Sequence, residues 1–376
     1  MPVPPIDLRN PTRRQFGALA AGATAFSLAA PASARADPVR PVRGFNLPSW
    51  VDREDGIAPS RPVLEKLSVA GFDTIRLPVA ADPLLGARDA ARAMLRRIAD
   101  ALALCQDAGF STVLDLHPGG RFAAALRESP DTGSRLAQET WRGLRDVLAG
   151  FPADFVQAEL LNEPPMEQAA WLDLRDALAA IVREACPFHG IIWGPARYQG
   201  IWELAGVRPL ADDHASVAVH YYSPMAFTHQ CENWNASTLS RISGLPFPAA
   251  ADTPAVAALS DKLRKTGDEE ALKQVEDTFA QPWTAGRIAT DFAGAGAWAR
   301  QHGCPAILGE FGVLDFCADP ASRAAWIRAV REAAEMNGMG WTYWELDQGF
   351  GFINDRRSTE GFDFAIIEAL TGAVAR

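Results

Sequence analysis

Phe155-Val-Gln-Ala-Glu-Leu-Leu-Asn-Glu163-Pro-Pro165 is a mostly apolar run that carries a carboxylate to its end and is stopped there by two prolines. A run this apolar reads as a strand covered on both faces, as in a parallel sheet sheathed by helices. Moving outward from it in both directions, the same pattern returns. Candidate strands are Gly44–Leu47, Thr74–Val79, Ser111–Leu116, Phe155–Asn162, Gly190–Gly194, Ser216–His220, Ala306–Glu310 and Gly340–Trp344. Candidate helices of Ala, Leu and Arg with helical spacing follow most of them: Pro62–Ala70, Arg88–Ala108, Gly133–Ala149, Gln168–Cys186, Ile288–His302, Pro320–Asn337 and Glu360–Thr371. Repeated strand–helix units of the α/β class, eight in number, close naturally as a (β/α)8 TIM barrel. The alternative, a doubly wound open sheet, should carry a glycine-rich phosphate loop after its first strand, and none is present.

One connection breaks the rhythm. Roughly 65 residues separate Tyr222 from Ile288, with Trp234, Trp283, several prolines and a charged helical stretch near Ser260–Glu276, and loops this long are usually functional or disordered. The aromatic content favours an ordered flap over the site. At the N-terminus, Thr12-Arg13-Arg14-Gln15-Phe16 precedes the weakly apolar Gly17–Ala30 and then Pro31-Ala-Ser-Ala-Arg-Ala36. This is the layout of a cleavable twin-arginine export signal over residues 1–36, cut after Ala34 or Ala36, which leaves residues 37–376 as one catalytic barrel. The expected location is therefore periplasmic or secreted. The apolar stretch is too short and too polar for a membrane span.

With 48% hydrophobic and 22% charged residues, the chain has the composition of a globular protein. Its formal charge of −10 disfavours nucleic acid or an anionic membrane as partner and suits a neutral substrate. Five cysteines lack a CxxC or Cys/His zinc spacing, so at most two disulfides are expected and no metal site is assigned. His-Glu-x-x-His and Gly-x-Ser-x-Gly are both missing, which argues against a zinc or serine hydrolase.

In a barrel, polar residues at the C-terminal strand ends face the active site. Those ends offer Asn46 with Trp50 beyond it, Arg76, Asp115 with His117, Asn162 with Glu163, His220 with Tyr222, Glu310, and Trp344 with Glu345. Glu163 and Glu310 are the telling pair. Two carboxylates brought together at strand ends are what hydrolysis of a glycosidic bond requires: a proton donor and a nucleophile or base. Neither a cofactor nor a metal is needed.

The motifs Thr74-Ile-Arg76-Leu-Pro-Val79, Leu114-Asp-Leu-His117-Pro118, Leu161-Asn162-Glu163-Pro164, His220-Tyr-Tyr222, Gly309-Glu310-Phe-Gly312 and Tyr343-Trp344 resemble glycoside hydrolase family 5, the cellulase family of clan A, from about Phe45 to Ile353. The resemblance implies that Glu163 is the general acid/base and Glu310 the nucleophile. It implies that Arg76, His117, Asn162, His220, Tyr222 and Trp344 bind substrate or support the pair; Trp50, just beyond the first strand, is a candidate sugar platform with packing as the alternative. Arg76 and Tyr222 are expected to keep Glu310 ionised, Asn162 to meet the sugar 2-hydroxyl, and Trp344 to stack beneath the sugar before the scissile bond. Strand alternation sends Tyr221 and Tyr222 to opposite faces, and the family spacing His-x-Tyr selects Tyr222. Asp115 is open between a structural and a catalytic role. His229, Gln230, Trp234 and Trp283 are open between substrate contact and packing, while Trp141, Trp171, Trp298 and Trp326 are expected in the core. The function so implied is a monomeric, retaining endo-β-1,4-glucanase acting on a β-linked oligo- or polysaccharide. A β-mannanase or other β-glycanase of the family is the alternative within the class. A catalytically inactive glycan-binding barrel is the alternative outside it, and the intact glutamates weigh against that.

Overall fold

The apolar runs pair edge to edge in chain order. In the computed structural model, which describes residues 43–372, the strands are β1 (Arg43–Asn46), β2 (Thr74–Ala80), β3 (Ser111–His117), β4 (Val156–Glu159), β5 (Ile191–Trp193), β6 (Ala215–Tyr221), β7 (Ala306–Phe311) and β8 (Gly340–Tyr343). All pairings are parallel, and β8 returns to β1, so the sheet closes as the eight-stranded barrel expected from the sequence. The expected export signal over residues 1–36 lies outside the described residues. No helix among the described residues is long and apolar enough to cross a membrane.

Helices coat the outside of the barrel, and the sequence marks their ends. Pro130 opens the helix Pro130–Leu148 at its first turn, where a missing N–H costs nothing. Asp319 caps Pro320–Met336 through the Ser322 N–H, and Asp363 caps Phe364–Thr371 through the N–H groups of Ala365 and Ile366. That last cap is why the final helix starts at Phe364 and not at Glu360. The helix expected from Gly133 begins three residues earlier and is preceded by another, Gly120–Glu128. Between β5 and β6 a four-residue 3-10 turn, Ile201–Leu204, stands where the other units have a helix.

Two apolar layers result. The main core lies between the sheet and the helices and takes in Trp141, Trp171, Trp298 and Trp326, as expected from their helical positions. A second cluster of Val113, Ile192, Ala218 and Ile307, drawn from β3, β5, β6 and β7, plugs the barrel interior. One level up, the inward side chains become polar: Asn46, Arg76, Asp115, Glu159, His220 and Thr342 are all buried.

The flap after β6 is ordered. Its charged stretch is two helices, Pro254–Thr266 and Glu269–Thr278, broken at Gly267 (φ 71°) and restarted by the Asp268 cap. Ile242, Phe247, Val256, Leu263, Val275 and Phe279 join the main core. Gln230, fully buried, donates to the carbonyls of Phe227 and Leu245 and accepts from the Leu245 N–H. Its amide is therefore committed to the flap. Trp283 is buried too, pairing by backbone with Ala249 and donating its indole N–H to the Thr278 carbonyl. Cys231 and Cys317 form a disulfide between the flap and the loop after β7, while Cys105, Cys186 and Cys304 are buried outside any disulfide.

Candidate active site

Arg76 is the centre of the polar layer. Its Nε and Nη2 grip both oxygens of Glu159 at 2.7 and 2.9 Å, and Nη1 donates to Glu310 Oε1 at 2.7 Å and to Asn46 Oδ1 at 2.8 Å. Nη2 also donates to Asn162 Oδ1 at 2.8 Å and lies 3.0 Å from Asp115 Oδ2. Burial works against the guanidinium charge, but Asp115, Glu159 and Glu310 outweigh it and push the Arg76 pKa well up. Because Arg76 can only donate, it fixes the Asn162 amide with oxygen inward, leaving the NH2 to face the cleft.

Glu310 reaches this centre from β7 through an irregularity. The β6–β7 register shifts between Val219 and His220, so that His220 stands opposite Glu310 and Gly309 is skipped. Gly309 and Glu310 then both face inward. A Cβ on Gly309 would lie 3.1 Å from His220 Nε2, closer than packed side chains comfortably sit, so glycine lets the imidazole in. Besides Arg76, Tyr222 Oη donates to Glu310 Oε2 at 3.0 Å. Burial, then the charges of Glu310 and Glu163, push the Tyr222 phenol well up, so it stays a donor.

Glu163 arrives differently. The β4 ladder stops at Glu159, short of the expected Asn162, and Glu163 sits in the left-handed region at φ 41°. Its N–H donates to Gln199 Oε1 at 2.6 Å, and its Oε1 lies 3.0 Å from His220 Nδ1. Burial raises the Glu163 pKa, with His117 and Arg76 opposing more weakly; the side chain keeps 28% exposure on the cleft side. His220 is pushed down to about 4, chiefly by burial, and is therefore neutral. The ligand-type atoms of Glu163, His220 and Glu310 all lie within 4.8 Å of one another. This is the one grouping among the described residues that could hold a metal ion, but a cation there would face Arg76.

The remaining wall is aromatic. Trp344, half-buried, stacks on His117 with ring centroids 5.9 Å apart and an interplanar angle of 15°. His117 pairs with Asp115, whose charge and hydrogen bond outweigh burial and raise the imidazole pKa. Asp115 itself is fully buried between Arg76 and His117, which resolves it as a supporting group. A cleft of about 790 Å³ is lined by His117, Asn162, Glu163, His220, Tyr222, Glu310 and Trp344, with His229 and Trp234 from the flap. An adjoining cavity of about 440 Å³ shares Glu163, Arg197 and Tyr198 with it and is floored by Pro164, Pro165 and Met166.

Two of the expected substrate-binding residues line neither cavity: Arg76, buried behind the cleft, where it bonds Glu310 and its neighbours instead of a ligand, and Trp50. Trp50 is 5% exposed in the main core. Ser49 at φ 57° turns the chain after β1, and Arg97 binds the Trp50 carbonyl, so the indole packs inward. Glu345 also turns away: its carboxylate accepts from the N–H groups of Asp347, Gln348 and Phe350, although burial pushes its pKa up to about 7. His189 and His214, in the loops that flank β5, are buried. The sequence reading missed Glu159, Gln199 and the exposed Tyr198 and Trp202. Glu159 had a signal, since it lies two residues after the inward Gln157 on an alternating strand. The 197–202 segment had none beyond its aromatics.

The chain is similar to known proteins over most of its length. The cellulase (glycosyl hydrolase family 5) model matches residues 32–349. Endoglucanase 3 of Fibrobacter succinogenes is 28% identical over 348 residues, 86% of this chain and 52% of that protein, so the chain spans about half the length of that relative. The solved cellulose synthase subunit Z of Clostridioides difficile is 25% identical, with TM-score 0.70 over 88% of this chain and 99% of the other. Thermotoga maritima Cel5A, solved with cellobiose and with mannotriose, is 21% and 20% identical with TM-scores of 0.70 and 0.71, covering 88% of this chain and 97% of the other. At that identity the last likeness speaks for the fold.

The Arg76 network predicts a stability effect. Arg76→Met leaves three buried carboxylates without their cation, and the unfolding free energy at pH 7 should fall by about 3–5 kcal/mol. Urea titration measures it, and a change within error of zero would mean the network is not held by Arg76.

Proposed function

The chain belongs to the cellulase family, glycosyl hydrolase family 5, and is a glycoside hydrolase; from that premise we propose that it is a retaining endo-β-1,4-glucanase, with Glu163 as proton donor and Glu310 as nucleophile. One observation carries the reading: an oxygen of Glu163 and an oxygen of Glu310 come within 4.8 Å of each other, in unlike surroundings. Retaining glycosidases keep their carboxyls about 5–5.5 Å apart, whereas inverting ones leave about 6.5–9.5 Å for a water.

The surroundings divide the roles. Two donors, Arg76 and Tyr222, address the oxygens of Glu310, as suits an anionic nucleophile. Glu163 meets neither of them and its pKa is raised by burial, as suits an acid. Glu310 attacks the anomeric carbon while Glu163 gives its proton to the departing glycosidic oxygen. A covalent glycosyl–Glu310 intermediate remains. Glu163, now a carboxylate, takes a proton from water, the resulting hydroxide attacks the same carbon, and Glu310 leaves as carboxylate. Neutral His220 holds Glu163 without adding a cation that would favour its ionisation. In this reading the Asn162 NH2 meets the sugar 2-hydroxyl, and Trp344, with His117 stacked against it, is the aromatic face for the sugar ring.

Cleavage within a chain is supported by the shape of the groove. Glu163 borders both cavities and Glu310 only the larger one, so the cleft continues past the proton donor on the leaving-group side. The name of the Fibrobacter relative and the cellobiose complex of Cel5A favour a β-1,4-glucan, and the mannotriose complex makes β-mannan the competing substrate. We also propose export of the folded chain by the twin-arginine route. The N-terminal pattern supports it, and so does the Cys231–Cys317 disulfide, which suits an oxidising compartment.

Soluble cellulose derivative should be cleaved faster than β-mannan or β-1,3-glucan, and mixed-linkage glucan should also be cut. Glu163→Gln should lower kcat on the cellulose derivative by about 10²–10⁴-fold, and Glu310→Gln should abolish turnover. The first product followed by NMR should keep the β configuration; inversion would remove Glu310 as nucleophile. Faster mannan cleavage would move the substrate assignment, and binding without hydrolysis of any glycan would favour the inactive barrel. Because Glu163 must be protonated to act and its pKa is raised, activity should be lost only as pH climbs above the usual carboxylate range. A basic limb inside that range would exclude it as the acid. For export, residues 1–36 fused to a reporter should carry it out of the cytoplasm only while Arg13 and Arg14 are intact; passage of an Arg13→Lys/Arg14→Lys fusion would exclude the route.

A further inference from the structure

Arg197, Tyr198 and Gln199 have φ of 58°, 62° and 48°, three consecutive non-glycine residues in the left-handed region. Such a turn persists only where its surroundings over-determine it. Here the third residue is the anchor. Gln199 is fully buried, and its carbonyl accepts the His220 N–H at 2.7 Å. Its Oε1 takes the Glu163 N–H at 2.6 Å, and its Nε2 lies 3.4 Å from Glu159 Oε1.

Its side chain has a place made for it. A Cβ on Gly194 would fall 2.3 Å from Gln199 Nε2 and 2.4 Å from its Cγ, so the amide lies directly over a glycine at the end of β5. One residue thus touches the backbone of Glu163, the backbone of the histidine bonded to the Glu163 carboxyl, and the carboxylate that grips Arg76. Glu163 needs such a tie. At φ 41° and followed by two prolines, it has no strand ladder to fix its direction.

We propose that Gln199 is a positioning residue that holds the left-handed backbone of Glu163, and so aims the proton donor at the glycosidic oxygen. The inference rests on the proton-donor reading of Glu163. Gln199 touches no reacting atom. Removing its amide frees the Glu163 backbone directly, whereas Glu310 keeps its bonds from Arg76 and Tyr222, and Glu159 keeps both of its bonds from Arg76. Substrates whose leaving group departs without protonation should therefore be spared.

The test compares kcat/KM, which reports the steps up to the glycosyl-enzyme, on cellotetraose and on 2,4-dinitrophenyl β-cellobioside. Gln199→Met fills the same space without the hydrogen bonds. It should lower kcat/KM on cellotetraose by about 10- to 100-fold and change the dinitrophenyl substrate by less than about threefold. Gly194→Ala keeps the glutamine but pushes its side chain away, and should show the same selectivity. Equal losses on both substrates for the two variants, or no loss on either, would overturn the proposal. Glu163→Gln run alongside separates the two ideas. If it spares the dinitrophenyl substrate and Gln199→Met does not, Gln199 alone is wrongly placed. If Glu163→Gln loses both substrates alike, the proton-donor reading falls and this inference with it.

Discussion

One buried cation organises the mouth of this barrel. Arg76 is 1% exposed and faces three carboxylates, Asp115, Glu159 and Glu310, with two asparagine oxygens completing its donors. A charge so placed is costly unless every donor is used, and Arg76 meets that condition through a fork that lysine could not reproduce. The consequences run outward along each strand. Glu159 is satisfied without water, Asn162 has its amide orientation set, and Glu310 has an oxygen fixed in space. Asp115 is left to pair with His117, which in turn stacks on Trp344. The polar layer is thus one network, and it rests on the apolar plug of Val113, Ile192, Ala218 and Ile307 below.

The two proposed catalytic carboxyls are delivered by unlike means, and the difference is what makes them chemically unlike. Glu310 comes from a strand, aimed by a register shift in the sheet and met by an arginine and a phenol. Glu163 comes from a loop just past a strand, in a strained backbone conformation, and is met by a neutral histidine. Strand-borne and doubly bonded, the first is rigid and suited to negative charge. The second, partly open to the cleft and poorly solvated, is suited to carrying a proton. The flap adds walls to this arrangement without entering it. Its buried core, Gln230 and the disulfide to the loop after β7 hold His229 and Trp234 at the rim.

Much of this was legible in the chain. Continuous apolar runs between amphipathic segments gave the barrel, because a strand covered on both faces has no other composition. Polar residues at the ends of those runs gave most of the cleft, since a carboxylate or imidazole at the edge of a buried strand needs a shared polar site. The misses have physical causes. Trp50 follows a strand end as Trp344 does, but a left-handed Ser49 sends it into the core, and no local pattern announces that turn. Glu159 was hidden inside an apolar run and became intelligible only opposite Arg76. Gln199 lies in a segment whose conformation is fixed entirely by what it touches.

The sequence alone therefore determined the fold class, the order of the strands and the identity of the paired glutamates, all of which follow from local composition and period. Tertiary structure decided how those groups are aimed. The register shift that turns Glu310 inward, the backbone φ of Glu163, the burial that raises the Glu163 pKa and the second cavity beside Glu163 arise only when distant strands meet. Periodicity is a property of neighbours along the chain. Desolvation and charge pairing belong to neighbours across the barrel, 83 residues apart for Arg76 and Glu159 and 234 for Arg76 and Glu310.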